Sequence, residues 1–354
     1  MNDIDPIYAE LAGRLGLEDS GFMPQILQRL MSFEQARIVR ELPAPPEEIG
    51  AKMDLDQATV EAHLQELFEK GVVFPTRKGY QMARTFSQMH DTQTNPKFDK
   101  TLGVEYFELW HKLIFEEQGG PIDILLEELA GGELPATRII PRWRSIEDTE
   151  DVLPWEDVRE ILKAQDQLAL IPCVCQRLHP HRECDVPNEK CIVVGRTALY
   201  HLKRGDGRTL SVEEALRRIE ELDDYPVVHI TLNQKGVNLL LCNCHACCCD
   251  VIRPMKEQTK YALTQGLAKS RFLAVVDPDG CRGCGKCLES CPFGAVQMKM
   301  QPDHDRPTAS VDRERCMGCG VCVLRCRAEA RAMKLVRPAD HIPETIAGIN
   351  GKRR

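Results

Sequence analysis

Cys281, Cys284, Cys287 and Cys291 form C-x2-C-x2-C-x3-C, followed by Pro292, and Cys316, Cys319, Cys322 and Cys326 repeat that spacing 35 residues later. The flanks keep the same offset. Val276-Asp277 matches Val311-Asp312, Gly283 and Gly285 match Gly318 and Gly320, Ala295 matches Ala330, and Met298-Lys299 matches Met333-Lys334. A duplication of this kind demands two equivalent units folded alike. The spacing has a chemical reason. Three close cysteines can wrap one iron–sulfur cluster in a tight loop, with glycines letting the backbone approach. The fourth, three residues on, reaches the other cluster. One [4Fe–4S] cluster would then take Cys281, Cys284, Cys287 and Cys326, and the second Cys316, Cys319, Cys322 and Cys291. Paired zinc ribbons are the alternative. They use C-x2-C pairs set a dozen or more residues apart, and four cysteines within 11 residues, twice over, fit that poorly.

On these motifs residues 271–337 resemble a bacterial two-cluster [4Fe–4S] ferredoxin. The resemblance implies a pseudo-twofold β-α-β fold with strands at Phe272–Asp277, Ala295–Met300, Ala309–Asp312 and Ala332–Val336. Arg327 departs from the pattern, standing where proline would follow the second set, and the Gln301–Pro307 loop is longer than in the shortest ferredoxins. Residues 275–333 carry nine basic and eight acidic side chains, whereas many small ferredoxins are strongly acidic. Positive charge near a cluster favours its reduced state.

The chain has 17 cysteines and none precedes Cys173. Beyond the repeat, Cys173, Cys175, Cys184 and Cys191 give C-x-C-x8-C-x6-C, and Cys242, Cys244, Cys247, Cys248 and Cys249 give C-x-C-x2-C-C-C. Nine thiols suffice for at least one further [4Fe–4S] cluster, with structural zinc as the other reading of these metal-ligand candidates. Spacing does not say which cysteine joins which site. His179, His181, His201, His229 and His245 lie in the same region. A histidine near cysteines more often hydrogen-bonds than ligates, and His245 is the first ligand candidate among the five. The stretches Ile171–Cys175, Pro187–Cys191, Cys242–Cys249 and Ser270–Asp277 resemble a family of anaerobe iron–sulfur proteins in which such a region precedes a two-cluster ferredoxin. In that family the position of His245 is often cysteine. The resemblance implies electron transfer.

The remaining sequence reads as α+β. Residues 1–100 give a helical, winged-helix-like domain. Helices are expected within 1–30 with a turn near Ser20-Gly21, at 34–43, from Glu47 to Met53, and from an Asp54 or Asp56 cap to Lys70. Gly71 then precedes a two-stranded wing over Val72–Met82. Residues 101–165 form a helical linker region, with helices at Thr101–Glu117 and Ile122–Leu129, an extended basic connector at Arg138–Arg144, and a helix from Pro154 to about Asp166. Residues 166–270 form a small Cys-rich α/β domain. Its strands are Leu168–Ile171, Val227–Leu232 and Val237–Leu241, and a Ser211/Glu214 capping box opens its helix. The two-cluster domain spans 271–337, and 338–354 is a tail.

Net charge is −8, which argues against a surface that coats nucleic acid. No apolar run approaches the length of a membrane span, and the opening residues are acidic where a secretory signal would be basic. A cytoplasmic location follows, with reduced thiols available for metal, and any membrane association would run through a partner. Neither a G-x-G-x-x-G nor a phosphate loop is present, and no catalytic residue is assigned. The expected role is an iron–sulfur electron-transfer subunit, itself non-catalytic, relaying single electrons between a donor and an oxidoreductase partner. The alternatives are a redox-sensing transcription regulator and a reductase with substrate at an unusual middle cluster. DNA is the disfavoured partner. From Ala51 to Lys70, five acids (Asp54, Asp56, Glu61, Glu66, Glu69) face two lysines (Lys52, Lys70), the wrong sign for phosphate contacts.

Overall fold

The computed structural model describes residues 4–77, 79–117, 134–236, 239–253 and 266–345. Contacts divide the chain into two units. The first comprises Met1–Leu125, Ile171–Arg182 and Tyr200–Arg208, and the second Leu126–Leu170, Glu183–Leu199 and Thr209–Arg354. No helix among the described residues is long and apolar enough to cross a membrane.

The first unit opens with helices α1 (Pro6–Gly13), α2 (Met23–Leu30), α3 (Phe33–Glu41), α4 (Pro46–Met53) and α5 (Gln57–Glu69). Ser32 and Gln35 form a reciprocal capping box at α3. Asp56 caps α5 by accepting from the Thr59 amide at 2.9 Å, while Asp54 ends α4 in the left-handed conformation. Val60, Leu64 and Leu67 bury one face of α5, as their four-and-three spacing requires. β1 (Val73–Thr76) and β2 (Gly79–Met82) pair antiparallel, Val73 opposite Met82. The unit continues with α6 (Phe86–Asp91), α7 (Asp99–Leu102) and α8 (Val104–Phe115). Gly103, at φ 72°, interrupts the single helix expected over Thr101–Glu117. The helix expected at Ile122–Leu129 lies outside the described residues.

The first unit's later segments carry buried arginines that tie it together. Arg177, in α10 (Val174–Arg177), donates to the Gln93 carbonyl at 2.6 Å. Arg204 donates to the carbonyls of Phe68 at 3.1 Å and Thr92 at 2.7 Å. Each satisfies backbone acceptors that burial would otherwise leave without a donor.

A seven-stranded sheet organises the second unit. Its strands are β3 (Thr137–Ile140), β4 (Leu168–Pro172), β5 (Glu189–Val194), β6 (Arg208–Thr209), β7 (Val228–Leu232), β8 (Leu240–Cys244) and β9 (Leu267–Ala268), in the order β6-β4-β5-β8-β7-β3-β9. Ile140, Leu168, Leu170, Ile192, Val194 and Leu241 form a core with α9 (Val158–Lys163) and α12 (Val212–Glu221). The Ser211/Glu214 capping box forms as expected. Between these elements α11 (Gly195–Arg204) follows β5.

Two expectations are corrected here. Arg138–Arg144 is not an extended basic connector, because Thr137–Ile140 is a buried strand of the sheet. Arg138 is buried and donates to the Trp155 carbonyl at 2.7 Å, and Arg142 is buried against Asp223 at 2.8 Å and the Leu222 carbonyl at 2.7 Å. Fixed acceptors hold both guanidinium groups inside, where their charge alone would place them in water. The second concerns the strand expected over Val237–Leu241: β8 runs from Leu240 to Cys244, and Val237 and Asn238 lie outside the described residues. Cys242 and Cys244 therefore lie within the strand.

In the repeat, β10 (Phe272–Val276) pairs with β13 (Arg331–Leu335), and β11 (Val296–Met300) pairs with β12 (Pro307–Val311), both antiparallel. Short helices α13 (Lys286–Glu289) and α14 (Val321–Leu324) follow the two cysteine loops. This is the pseudo-twofold arrangement expected, each strand within two residues of its expected limits.

Candidate metal centres

All seventeen cysteines are thiols. Six of the eight in the repeat share one core. Cys281, Cys287, Cys316 and Cys322 are buried in it beside Phe272, Ala295, Ala309 and Met333, with Cys291 and Cys326 packed at its edge. Cys291, Cys316, Cys319 and Cys322 line a small cavity of about 20 Å³ together with Phe293, Val296, Gly318, Gly320 and Arg331. Cys291 is thus brought to the second set rather than to its own sequence neighbours. Backbone amides point at two sulfurs of the first set: Ala295 N donates to Cys291 Sγ at 3.2 Å, and Ala309 N to Cys281 Sγ at 3.4 Å. Such bonds stabilise a thiolate. Without metal, burial drives the Cys322 thiol up to about 12 and raises Cys319 well above its ordinary value.

Arg331 was not legible as a site residue, yet it lies at the centre. It is buried, and the acceptors its guanidinium group meets are the thiols of Cys287 and Cys322. Burial works against its charge, and the thiols of Cys322 and Cys287 more than reverse this. One thiol belongs to each half of the repeat. Thiols are weak acceptors for a buried cation, so an anionic group between the cysteine sets is what this pocket fits. A cluster held by four thiolates is such a group.

The two cysteine loops differ in their surroundings. Cys284 is exposed, whereas Cys316, Cys319 and Cys322 are all buried. Arg142 N donates to the Cys319 carbonyl at 3.0 Å, and the Ser270 hydroxyl to the Gly318 carbonyl at 2.7 Å. A Cβ at Gly320 would overlap Ser145, while one at its repeat mate Gly285 would meet nothing within 4 Å. Both glycines have positive φ (78° and 74°), where alanine costs about 1–2 kcal/mol. Thermal unfolding of anaerobic protein should therefore show Gly285→Ala mildly destabilised and Gly320→Ala clearly more so. Trimming Ser145 to glycine should recover part of the difference, and equal losses would refute the asymmetry.

Residues 280–330 match the family described as a 4Fe-4S dicluster domain. This is an iron–sulfur protein. No curated protein and no solved structure gives a match.

The middle cysteines of this iron–sulfur protein sort into two sets within the second unit. Side chains alternate along a strand, so Cys242 and Cys244 face away from Leu241 and from the helix-covered side of the sheet. Cys191 shares their face, since Ile192 lies opposite Leu241. Hydrogen bonding of the Cys244 thiol to Cys242 and Cys249, then burial, raises it well above its ordinary value. Cys184, His245, Cys247 and Cys248 form the other set, their ligand atoms all within 4.8 Å of one another. Cys173 and Cys175 belong to the segment grouped with the first unit. Sequence spacing could not show the division, because Cys184 comes to its partners from some sixty residues away.

The other histidines do structural work. His229 is fully buried, its Nδ1 at 2.6 Å from Asn243 Oδ1 and its Nε2 at 3.4 Å from Arg142. Burial, aided by Arg142, takes its pKa down to about 3, so the ring is neutral. His201 pairs with buried Asp206 at 3.1 Å. His179 stacks on His111, and His181 meets Glu108 at 3.0 Å.

Proposed function

We propose that this iron–sulfur protein is an electron-transfer subunit that relays single electrons between a donor and an oxidoreductase partner. When bound, [4Fe–4S] clusters supply reversible one-electron chemistry. Cys281, Cys284, Cys287 and Cys326 would hold one, and Cys316, Cys319, Cys322 and Cys291 the other. The observation that carries the reading is the asymmetry of the two loops. Cys284 is exposed, beside a half-exposed Leu288, and suits exchange with an external partner. The Cys316–Cys322 loop is packed on Ser145 and Ser270 and faces the chain's own interior. From Cys319 a hydrogen-bonded path runs through Arg142 and His229 to Asn243, between Cys242 and Cys244. Cys191, Cys242, Cys244 and Cys249 are the middle thiols that best suit a third cluster.

The hairpin β1–β2 after α3–α5 is winged-helix-like, and we assign it to docking a protein partner. Its acidic α5 repels phosphate. Stepwise reduction of the anaerobic full chain, followed by paramagnetic resonance, should give at least two reversible one-electron signals, which an oxidised carrier protein then removes. Clusters that are lost on reduction would overturn the relay. Salt-dependent binding to one duplex, far above random duplex and dependent on cluster state, would favour the regulator instead.

A further inference from the structure

We propose that Cys184, His245, Cys247 and Cys248 bind a single tetrahedral zinc ion that acts as a structural staple. This goes beyond the relay, because zinc has no redox chemistry of its own. The four ligand atoms lie within 4.8 Å of one another, with His245 Nδ1 already 3.0 Å from Cys247 Sγ. Tetrahedral bonds of about 2.3 Å to sulfur and 2.0–2.1 Å to nitrogen put ligand atoms about 3.6–3.8 Å apart, so small side-chain movements close the site. A cubane is different. Each of its four irons takes its own thiolate, and the sulfurs stand off around a cluster instead of converging on a point. Among the described residues, the eight cysteines of the repeat form no group as tight as this one.

The donor set points the same way. Three thiolates and one imidazole in tetrahedral array suit zinc, and zinc outcompetes iron(II) for a given nitrogen–sulfur site. Local structure delivers them. The chain turns directly after β8, with the amides of Cys248 and Cys249 donating to the His245 carbonyl at 3.3 and 3.0 Å. That turn presents three ligands within four residues, and Cys184 arrives from the loop before β5. The run Cys247-Cys248-Cys249 is then divided, the first two on zinc and Cys249 turned to Cys244. The staple fixes the turn that places Cys244 and Cys249.

The test uses full-length protein purified anaerobically from cells supplied with both metals. Elemental analysis should find one zinc ion per chain. Zinc-edge X-ray absorption, blind to iron, should find three sulfurs at about 2.3 Å and one nitrogen at about 2.0–2.1 Å. Cys184→Ser should lose most of the zinc while the repeat's iron signals persist. If that variant does not fold, His245→Cys serves, and should keep zinc in a shell of four sulfurs. A wild-type shell of four sulfurs would remove His245 from the site. Zinc near zero, with extra iron that Cys184→Ser removes, would replace the staple by a cluster. Either result overturns the proposal.

Discussion

Replacing Cys291 with alanine is expected to cost the chain one four-iron cluster, that of Cys316, Cys319 and Cys322, while the Cys281 loop keeps its own. Cys291 sits in the cavity lined by those three cysteines. Its charge bears on the Cys319 and Cys322 thiols, both of which it helps to raise. Its sulfur is fixed there by the Ala295 amide at 3.2 Å, and Ala295 is tied in turn to Asp312 N at 2.8 Å, just before the second loop. Iron should fall by about four per chain. The identity of the lost cluster is settled by a second substitution. Adding Cys319→Ala to Cys291→Ala should change iron content no further, whereas adding Cys284→Ala should remove what the repeat still holds. The reverse pattern would mean that each loop binds its cluster with its own four consecutive cysteines.

The expected crossing rests on the spacing of the cysteines, which the duplication shows twice. The strands implied by the ferredoxin resemblance fall within two residues of those observed, and the capping residues Ser211 and Glu214, with Asp56 as one of two candidates, marked helix starts by a local hydrogen bond. What stayed hidden depends on distant partners. Arg138 and Arg142 look like surface charge until Trp155, Leu222 and Asp223 supply their acceptors. The limits of β8 depend on pairing with β7, which sets Ile230 opposite Cys242. The division of the middle cysteines depends on a turn bringing His245 to Cys184. In each case the deciding contact spans sequence distances over which spacing carries no information.

The duplication is broken most sharply at Arg331, whose mate 35 residues earlier is the buried Val296. Both line the cavity of the second cysteine set, so one half of the repeat presents an alkyl group where the other presents a cation. The guanidinium charge is supported against burial by Cys322 and Cys287, one ligand from each proposed cluster. Reduction adds a negative charge, and a fixed positive charge stabilises that product more than the oxidised state. At an effective dielectric of about 20, a unit charge about 5–8 Å away is worth about 2–3 kcal/mol, on the order of 100 mV for one electron. Arg331→Val puts the first half's own residue into the second and is expected to lower both midpoint potentials by that order. Arg331→Lys should restore most of the loss if charge is the cause, and little of it if packing is. A potentiometric titration of both variants at unchanged iron content decides the matter. Potentials within about 20 mV of the parent in Arg331→Val would show that solvent, not the arginine, balances the two clusters. A shift confined to one cluster would show that the guanidinium serves only the thiolate on that side.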